Sequence, residues 1–430
     1  MDNAGRAAIF PPMTDVSPTA RPQGDVLIVG SGLNGLSLAL ALAEGGLSVQ
    51  VIDAAPRPAD DPDSHAAFDG RAYALALGSQ RMLRALGLWE KLDAVTQPIL
   101  GITASDGRPG EGPSPLSLHF DHAEIEEGPM GYMVEDRHLR PALLAAVAAH
   151  PRIRHEWNAR VVAQQRDAAG VGVTLQDGRA FTARLLVGCD GRRSGTAERA
   201  GIGRTGWPYR QTALVSAISH EAPHEGVAHQ FFMPGGPLAI LPLRGNRVSI
   251  VWSERTEEAQ RIAGLDDAGY LEALRPRFGD FLGEIALDGA RFAYPLELSL
   301  ANSMTGQRLA LVGDAAHAVH PIAGQGLNQG LRDSAALAQV LIEALRRGED
   351  FGREDVLDRY LRWRRFDATT LALATDAFTR LFSNDNPLLR GLRDLGLGAV
   401  NALPGLRRGF IREAAGLTGD VPLLLQGRRI

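Results

Sequence analysis

The feature that most constrains the fold is a glycine-rich turn between an apolar strand and a helix. Residues 25–29 are an apolar run that predicts a buried parallel strand, and GSGLNG follows at 30–35. Residues 33–44 have helical spacing, and a Gly-Gly pair ends that predicted helix. Residues 48–52 then predict a second strand. This order is a βαβ unit, so we expect an α/β protein.

Each glycine of the GxGxxG pattern has a separate physical purpose. Gly30 allows a tight turn, Gly32 lets the backbone approach a pyrophosphate, and Gly35 lets the helix pack closely on the strand. Asp53 ends the second strand, where a carboxylate can accept hydrogen bonds from ribose hydroxyls. The unit predicts dinucleotide binding, with a glycine-rich turn in an unrelated α/β protein as the alternative. The pattern does not separate FAD from NAD.

Composition limits the class of protein and its partners. The 430 residues are 45% hydrophobic and 22% charged, as in soluble globular proteins of two or three domains. The net charge of −5 gives little support for a nucleic-acid partner. Cys189 is the single cysteine, which fits a reducing compartment. We expect residues 1–24 to be a disordered lead-in, and no window of the sequence resembles a membrane span.

Further strands and helices are predicted along the chain. Residues 79–92 and 137–150 have helical spacing, and the chain is mostly helical from Leu327 onward. The remaining strand-like runs are residues 161–165, 172–176, 181–187, 231–242, 247–252, 294–300 and 308–312. Buried strands at both ends of this region favour a discontinuous nucleotide domain with a second, strand-rich domain inserted between its pieces.

Two later motifs follow predicted strands. The sequence GCDG at 188–191 is, by itself, often only a turn. The sequence GDAAH at 313–317 is more informative, because Asp314 is placed to accept hydrogen bonds from a polyol. The run HPIAGQGLNQG at 320–330 then opens a helix, whose dipole favours the negative charge of a reduced flavin. Its glycines admit a flat isoalloxazine ring where a Cβ would collide. This motif favours FAD.

In order and spacing, these three motifs resemble the class A flavoprotein monooxygenases of the para-hydroxybenzoate hydroxylase fold. The resemblance implies an α/β fold with a Rossmann-like FAD-binding domain, an inserted strand-rich substrate domain and a helical C-terminus. It implies that Asp190 touches both FAD and NADPH, and that Gly313 and Asp314 hold the ribityl chain. It places Pro321 beside the flavin. The residues expected to act at the flavin are Pro321, Gly324 and Gln325, and the loop residues expected to bind FAD are Gly324, Gln325, Gly326, Leu327 and Asn328.

Finer similarities point to the UbiH/UbiF-like hydroxylases of ubiquinone biosynthesis. The segment DGRAYAL at 69–75 resembles one whose arginine lies near the flavin. The segment GYMVEDR at 131–137 resembles another, although Asp136 stands where asparagine is usual. Arg71 and Arg137 are therefore expected to contact the cofactor, with surface charges as the alternative. The implied domains are 25–75, 129–198 and 290–345 for FAD, 76–128 and 199–289 for the substrate, and 346–430 for the C-terminal helices.

The resemblance implies hydroxylation of a polyprenylated phenol or quinol by a flavin C4a-hydroperoxide, with NADH or NADPH and O₂ as co-substrates. A hydroxylase of a small soluble aromatic acid and a non-catalytic prenyl-binding module are the alternatives. We expect no metal site, because His317 and His320 lack ligand partners at useful spacing. Both are expected to be neutral histidines that hydrogen-bond a turn.

The expected location is the cytoplasm, with peripheral contact at the inner face of the membrane or with a ubiquinone-biosynthesis complex. A basic surface formed by Arg407, Arg408 and Arg412 would make that contact. The alternative is a solvated helix face that closes the fold. The ring position that is hydroxylated, the general base and the oligomeric state are left open by the sequence.

Overall fold

The computed structural model describes residues 23–58, 70–110, 112–113, 117–320, 324–382 and 403–430. The predicted lead-in therefore lies almost entirely outside the described residues, as do Asp69 and Pro321. The strands are β1 Gly24–Val29, β2 Val49–Ile52, β3 Ala72–Ala76, β4 Gln97–Ile99, β5 Gly101–Arg108, β6 Gly112–Pro113, β7 Leu118–Asp121, β8 Gly131–Glu135, β9 Ile153–Glu156, β10 Val161–Arg166, β11 Val171–Leu175, β12 Ala180–Gly188, β13 Arg204–His220, β14 Val227–Met233, β15 Gly236–Leu243, β16 Arg247–Arg255, β17 Ile285–Leu287, β18 Phe292–Ala301, β19 Thr305–Gly306, β20 Leu309–Leu311 and β21 His317–Ala318.

The helices are α1 Leu33–Glu44, α2 Leu77–Ala85, α3 Trp89–Leu92, α4 Asp136–Ala149, α5 Gly195–Arg199, α6 Thr256–Ala263, α7 Asp267–Phe278, α8 Gln325–Arg346, α9 Glu354–Phe382 and α10 Pro404–Ala414. Within the described ranges, none of these helices is both long and apolar enough to cross a membrane. The mixed α/β architecture with a helical C-terminal region confirms the predicted fold class.

An eight-stranded sheet contains the nucleotide-type βαβ unit. Its path runs β10-β11-β12-β1-β2-β9, and β20 pairs with the end of β12. Strands β20, β12, β1, β2 and β9 are parallel. Val29 pairs with Gly188, and Gly188 pairs with Leu311, so these strands end level with one another. The three motifs that follow β1, β12 and β20 therefore meet at one edge of the sheet, which is where open α/β sheets bind ligands.

A second, ten-stranded sheet has the path β21-β18-β13-β16-β15-β14-β5-β6. It includes β18, which falls inside the 290–345 segment that the sequence predicted for the FAD-binding domain. Helices α6 and α7 contribute Ile262, Tyr270 and Leu274 to its core, around the buried Trp252. A third, three-stranded sheet has the order β3-β8-β4, and over the residues that the structure describes its strands do not pair with those of the other two sheets.

Three local predictions were wrong. The predicted helix over 79–92 is two helices, because the chain turns at Gly87 with a φ of 72°. The predicted strand over 231–242 is the hairpin β14-β15. The seventeen-residue strand β13 was missed, since Pro208 and an irregularity before Gln211 interrupt its pattern.

Candidate active site

The glycine-rich turn shows which glycines serve packing and which leaves room for a ligand. Gly30 has a φ of 103°, and a Cβ there would overlap the carbonyl oxygen of Cys189. A Cβ on Gly35 would overlap the carbonyl oxygen of Gly30, so this glycine lets α1 approach the turn. At Gly32 the same test finds nothing within 4 Å. Gly32 thus borders open space at the N-terminus of α1, as a pyrophosphate site requires.

Asp53 lies against the same turn. Its Oδ2 accepts hydrogen bonds from the backbone N–H and from the hydroxyl of Ser31, both at 2.6 Å. Its Oδ1 accepts a bond from the N–H of Ala55 at 2.8 Å. A carboxylate can accept about four hydrogen bonds, so capacity remains for a ribose. The contact of Asp53 with a ribose stays a prediction.

Asp190 organises its own turn. One carboxylate oxygen accepts a bond from the hydroxyl of Ser194, and the other accepts bonds from the N–H and the hydroxyl of Thr196, both at 2.9 Å. These contacts hold the start of α5 against the end of β12. The turn interpretation of GCDG therefore has direct support, and contact of Asp190 with FAD or NADPH stays a prediction.

Asp314 differs from both of these carboxylates. Gly313 has a φ of 64° and turns the chain so that the half-exposed Asp314 side chain follows β20. Among the described residues none donates a hydrogen bond to its carboxylate, and Arg192 Nε lies 4.0 Å from Oδ2. Partial burial raises the pKa of Asp314, although Arg192, His317 and Arg204 oppose that rise. A carboxylate without a donor among the described residues fits, at this edge, the hydroxyls of a ribityl chain.

We expect Asp314→Ala to weaken FAD binding without destabilising the protein. Its hydrogen bonds to ribityl hydroxyls would be charge-assisted and contribute about 1.5–3 kcal/mol, or roughly tenfold to a hundredfold in Kd. Fluorescence titration of the apoprotein with FAD measures the change, and thermal unfolding of the apoprotein should be unaltered. An unchanged Kd would contradict the assignment.

The pH dependence of FAD affinity tests the same role of Asp314. Protonation removes the charge from Asp314, and its raised pKa places that protonation at a higher pH than for an ordinary aspartate. FAD affinity should therefore fall as the pH is lowered through this pKa. The Asp314→Asn variant should show a weaker affinity that no longer depends on this titration.

A buried carboxylate, Asp333, connects the turn at Gly313 and Asp314 (the GD turn) to the C-terminal helices. It accepts hydrogen bonds from the N–H of Gly313 at 3.0 Å, from His317 Nε2 at 2.6 Å and from Arg364 Nε at 2.8 Å. The Arg364 guanidinium is fully buried and also reaches Asp367 and Gln329. Burial opposes ionisation of Asp333, but His317 and Arg364 hold its pKa below the ordinary value. Sequence reasoning missed Asp333, which lies three residues after the glycine-rich run at 320–330.

Asn328 holds in place the start of α8, which belongs to the glycine-rich run at 320–330. Its amide donates to the carbonyl oxygens of Ala74 at 2.8 Å and Gly324 at 3.1 Å. Its Oδ1 accepts bonds from the N–H of Ala76 and the hydroxyl of Ser79, both at 2.8 Å. These four bonds occupy both donors and both acceptor positions of the side-chain amide, so Asn328 connects the start of α8 to β3. Contact of Asn328 with FAD stays a prediction.

Gly326 borders open space in the first turn of α8, whereas Gly324 packs against Ala74 of β3. Gly324 has a φ of 63° and immediately precedes α8, and a Cβ on Gly326 would meet nothing within 4 Å. Gln325 and Leu327 are partly buried in the first turn of the helix. This fits a flat ring near the helix start. Binding of FAD by Gln325, Gly326 and Leu327, and any action at the flavin, stay predictions, and Pro321 lies outside the described residues.

The two arginine-bearing segments are neighbours in the structure. Strand β3 pairs with β8, and Ala72 faces Glu135. Arg71 lies 3.3 Å from the buried Asp136, while Arg137 lies 2.9 Å from Glu135. Asp136 also accepts hydrogen bonds from Tyr73 and Arg140, a set of donors that suits an aspartate better than an asparagine. Cofactor contact by either predicted arginine stays a prediction.

The predicted hydrogen bonds of His317 and His320 to a turn were wrong. His317 bonds the carboxylate of Asp333 rather than a turn, and His320 has no hydrogen-bond partner among the described residues. The described part of the chain contains no group of three or more side chains suited to hold a metal ion.

Comparison with known proteins identifies the family. Residues 23–373 match the family described as an FAD binding domain. The ubiquinone hydroxylase UbiL of Rhodospirillum rubrum is 46% identical, with 98% of each chain covered. The 3-demethoxyubiquinol 3-hydroxylase of Escherichia coli is 34% identical, with 91% of this chain and 98% of that protein covered. This chain belongs to the ubiquinone-biosynthesis hydroxylases of the class A flavoprotein monooxygenases.

Solved structures confirm the fold expected for these monooxygenases. The p-nitrophenol 4-monooxygenase PnpA of Pseudomonas putida superposes with a TM-score of 0.75 at 20% identity, over 92% of this chain and 98% of that chain. PqsL of Pseudomonas aeruginosa, a probable FAD-dependent monooxygenase, gives 0.72 at 27% identity, over 87% and 99%. The resemblance noted in the motifs is thus confirmed, and the residues around Gly32, Asp314 and Gly326 fit the FAD that the family binds.

Proposed function

We propose that this protein is an FAD-dependent monooxygenase that hydroxylates the aromatic ring of a polyprenylated phenol or quinol in ubiquinone biosynthesis. The similarity to UbiL over 98% of both chains is the observation that carries this proposal. NADH or NADPH would reduce the flavin, and O₂ would supply the oxygen. The described residues show one glycine-rich βαβ unit of the nucleotide-binding type, so we expect the nicotinamide to act as a transient co-substrate.

When bound, FAD supplies the redox chemistry and the activation of oxygen. The protein binds and orients the cofactor. The open N-terminus of α1 at Gly32 receives the pyrophosphate, and Asp314 receives the ribityl hydroxyls. Asn328 fixes the start of α8, whose dipole favours negative charge on the adjacent ring.

A hydroxylase of a small soluble aromatic acid is the alternative within this fold. A deletion strain of the source organism separates the two functions. We expect it to accumulate a prenylated ubiquinone precursor that lacks one or more ring hydroxyls, and to recover with the parent gene but not with Gly32→Val. Normal ubiquinone with no such precursor would contradict the proposal.

Two of the three arginines predicted to form a basic surface for membrane contact have carboxylate partners. Arg407 pairs with Glu124 at 2.8 Å, and Arg412 pairs with Glu127 at 3.3 Å. Surface carboxylates therefore neutralise two of the three arginines in this cluster.

The same helix has an exposed apolar face instead. Leu403, just before α10, and Leu406 and Phe410 within it are each about half exposed. The spacing of three and four residues places them on one side. Ile411 and Ala415 are buried on another side, against the body of the protein. We propose that this apolar face touches the lipid surface where a prenylated substrate resides.

Replacing Leu403, Leu406 and Phe410 together with serine should weaken vesicle binding. Burying the exposed part of each of these side chains in lipid would contribute about 1 kcal/mol to the free energy of binding. The affinity of the triple variant for vesicles should therefore fall about a hundredfold. Co-sedimentation with phosphatidylcholine–phosphatidylglycerol vesicles measures it. Arg408→Gln is the matched control, since it removes a charge from α10 and leaves both ion pairs intact. Equal sedimentation of the triple variant and the parent would contradict the proposed contact.

A further inference from the structure

His320 is a buried imidazole without a hydrogen-bond partner in the part of the chain that the structure describes. It lies two residues after β21 and four residues before Gly324, and only 1% of its surface is exposed. Neither ring nitrogen has a hydrogen-bond partner among the described residues. Unsatisfied buried polar groups are rare, because they lose their bonds to water and gain nothing in return. Such a group in a native protein points to a ligand that completes it.

The charge state of His320 limits the ligand. Burial lowers the pKa of His320 to about 4, and no nearby charged side chain contributes to that shift. The imidazole is therefore neutral at physiological pH, with one nitrogen that donates and one that accepts a hydrogen bond. A neutral group in these surroundings suits a hydroxyl better than a phosphate or a carboxylate.

His320 contacts an aromatic residue of the ten-stranded sheet, Tyr209. The ring of Tyr209 stands edge-on to the imidazole, with the centroids 5.1 Å apart. Tyr209 lies in β13 at the register shift between Pro208 and Gln211, and the next residue, Arg210, has a φ of 56°. Irregular strands and left-handed non-glycine residues concentrate near functional sites.

The start of β13, four residues before this register shift, is hydrogen-bonded to the turn at Gly313 and Asp314. Arg204 donates hydrogen bonds to the carbonyl oxygens of Asp314 at 3.1 Å and Ala315 at 2.5 Å. His320 therefore lies between the predicted FAD site and the ten-stranded sheet. This is where the ring to be hydroxylated must meet the flavin.

We infer that the His320 imidazole binds the ring hydroxyl of the phenol substrate. The inference rests on the proposed function. Both nitrogens are enclosed in this structure, so the substrate ring reaches them by taking the position of Tyr209 against the imidazole. A hydrogen bond from the phenol O–H to the accepting nitrogen orients the ring and increases its electron density. Hydroxylation of an aromatic ring benefits from both effects.

The test compares binding of 2-geranylphenol and of its methyl ether, 2-geranylanisole, to the FAD-loaded protein by calorimetry in detergent. The parent should prefer the phenol about tenfold, which corresponds to one net hydrogen bond. His320→Leu should bind both compounds equally, with an unchanged Kd for the ether. His320→Gln keeps a donor and an acceptor and should restore most of the preference.

A matched control is His229→Leu. Burial lowers the pKa of His229 to about 4 as well, but its ring packs against Phe231 and Phe281 elsewhere in the sheet. This variant should keep the preference of the parent for the phenol. His320→Leu should also unfold at the same or a higher temperature than the parent apoprotein, because it removes unsatisfied polar atoms. A purely structural histidine would instead lower that temperature.

Three outcomes would overturn the inference. If His320→Leu keeps the preference for the phenol, the inference is wrong while the proposed function stands. If its Kd for FAD changes instead, His320 serves the cofactor rather than the substrate. If the parent binds neither compound, both the inference and the proposed function fail.

Discussion

Gly32→Val should give a folded protein that no longer binds FAD. A Cβ at this position meets no atom within 4 Å, and the residue has an extended backbone with a φ of −65° and a ψ of 173°. The fold therefore tolerates a side chain there. The added atoms would occupy the approach of the pyrophosphate and remove at least two charge-assisted hydrogen bonds, so FAD affinity should fall by about a hundredfold or more. Absorbance of the purified protein and titration of the apoprotein measure the loss.

Gly35→Val is the matched variant, since it lies three residues away in the same motif. Its Cβ would overlap the carbonyl oxygen of Gly30, which cannot move without opening the turn. We expect this variant to lose about 3 kcal/mol of stability or more. Circular dichroism should thus show a native Gly32→Val apoprotein and a destabilised Gly35→Val. A yellow Gly32→Val protein would place the pyrophosphate elsewhere.

Asp333→Ala should be the most destabilising single substitution around the GD turn. It leaves the fully buried Arg364 without its main counter-ion and removes the acceptor for His317 and for the N–H of Gly313. Breaking one side of a buried ion pair costs about 3–5 kcal/mol. Urea unfolding of parent and variant measures the difference.

The double variant Asp333→Ala with Arg364→Met tests this explanation. It should be more stable than Asp333→Ala alone, because no unpaired cation remains in the core. The folded-state pKa of Asp333 is lowered, so its contribution is fully present above the ordinary aspartate pKa and is lost as the pH falls through the folded-state value. The stability difference between parent and variant should hold between about pH 7 and pH 5 and shrink under more acidic conditions. A difference that does not depend on pH would contradict the ionic role.

Features with a local cause were predictable from the sequence. The bounds of α1 were predicted without error, because glycines flank a continuous apolar stretch. The meeting of the three motifs at one sheet edge followed from placing each after a parallel strand. The tight turn at Gly30, the close packing at Gly35 and the open space at Gly32 also agree with what their spacing implied, while the pyrophosphate contact of Gly32 stays a prediction.

Features that depend on contacts between distant segments were not predictable. Arg364 and Asp333 meet because α9 packs on α8. The sequence of neither helix indicates that it contacts the other. The hydrogen bonds of Asn328 to Ala74 and Ala76, more than 250 residues earlier in the chain, were not predicted either. The charge of α10 predicted a basic surface, and only the fold shows that Glu124 and Glu127 stand opposite.

Transfer of oxygen to a prenylated phenol is the central claim, and isotope labelling measures it directly. The FAD-loaded protein would be incubated with NADPH or NADH, 2-geranylphenol and ¹⁸O₂, and the products separated by mass spectrometry. We predict a hydroxylated product that carries one ¹⁸O atom and forms in proportion to the nicotinamide consumed. Nicotinamide oxidation that yields only hydrogen peroxide, or a product whose new oxygen comes from water, would contradict the proposed function.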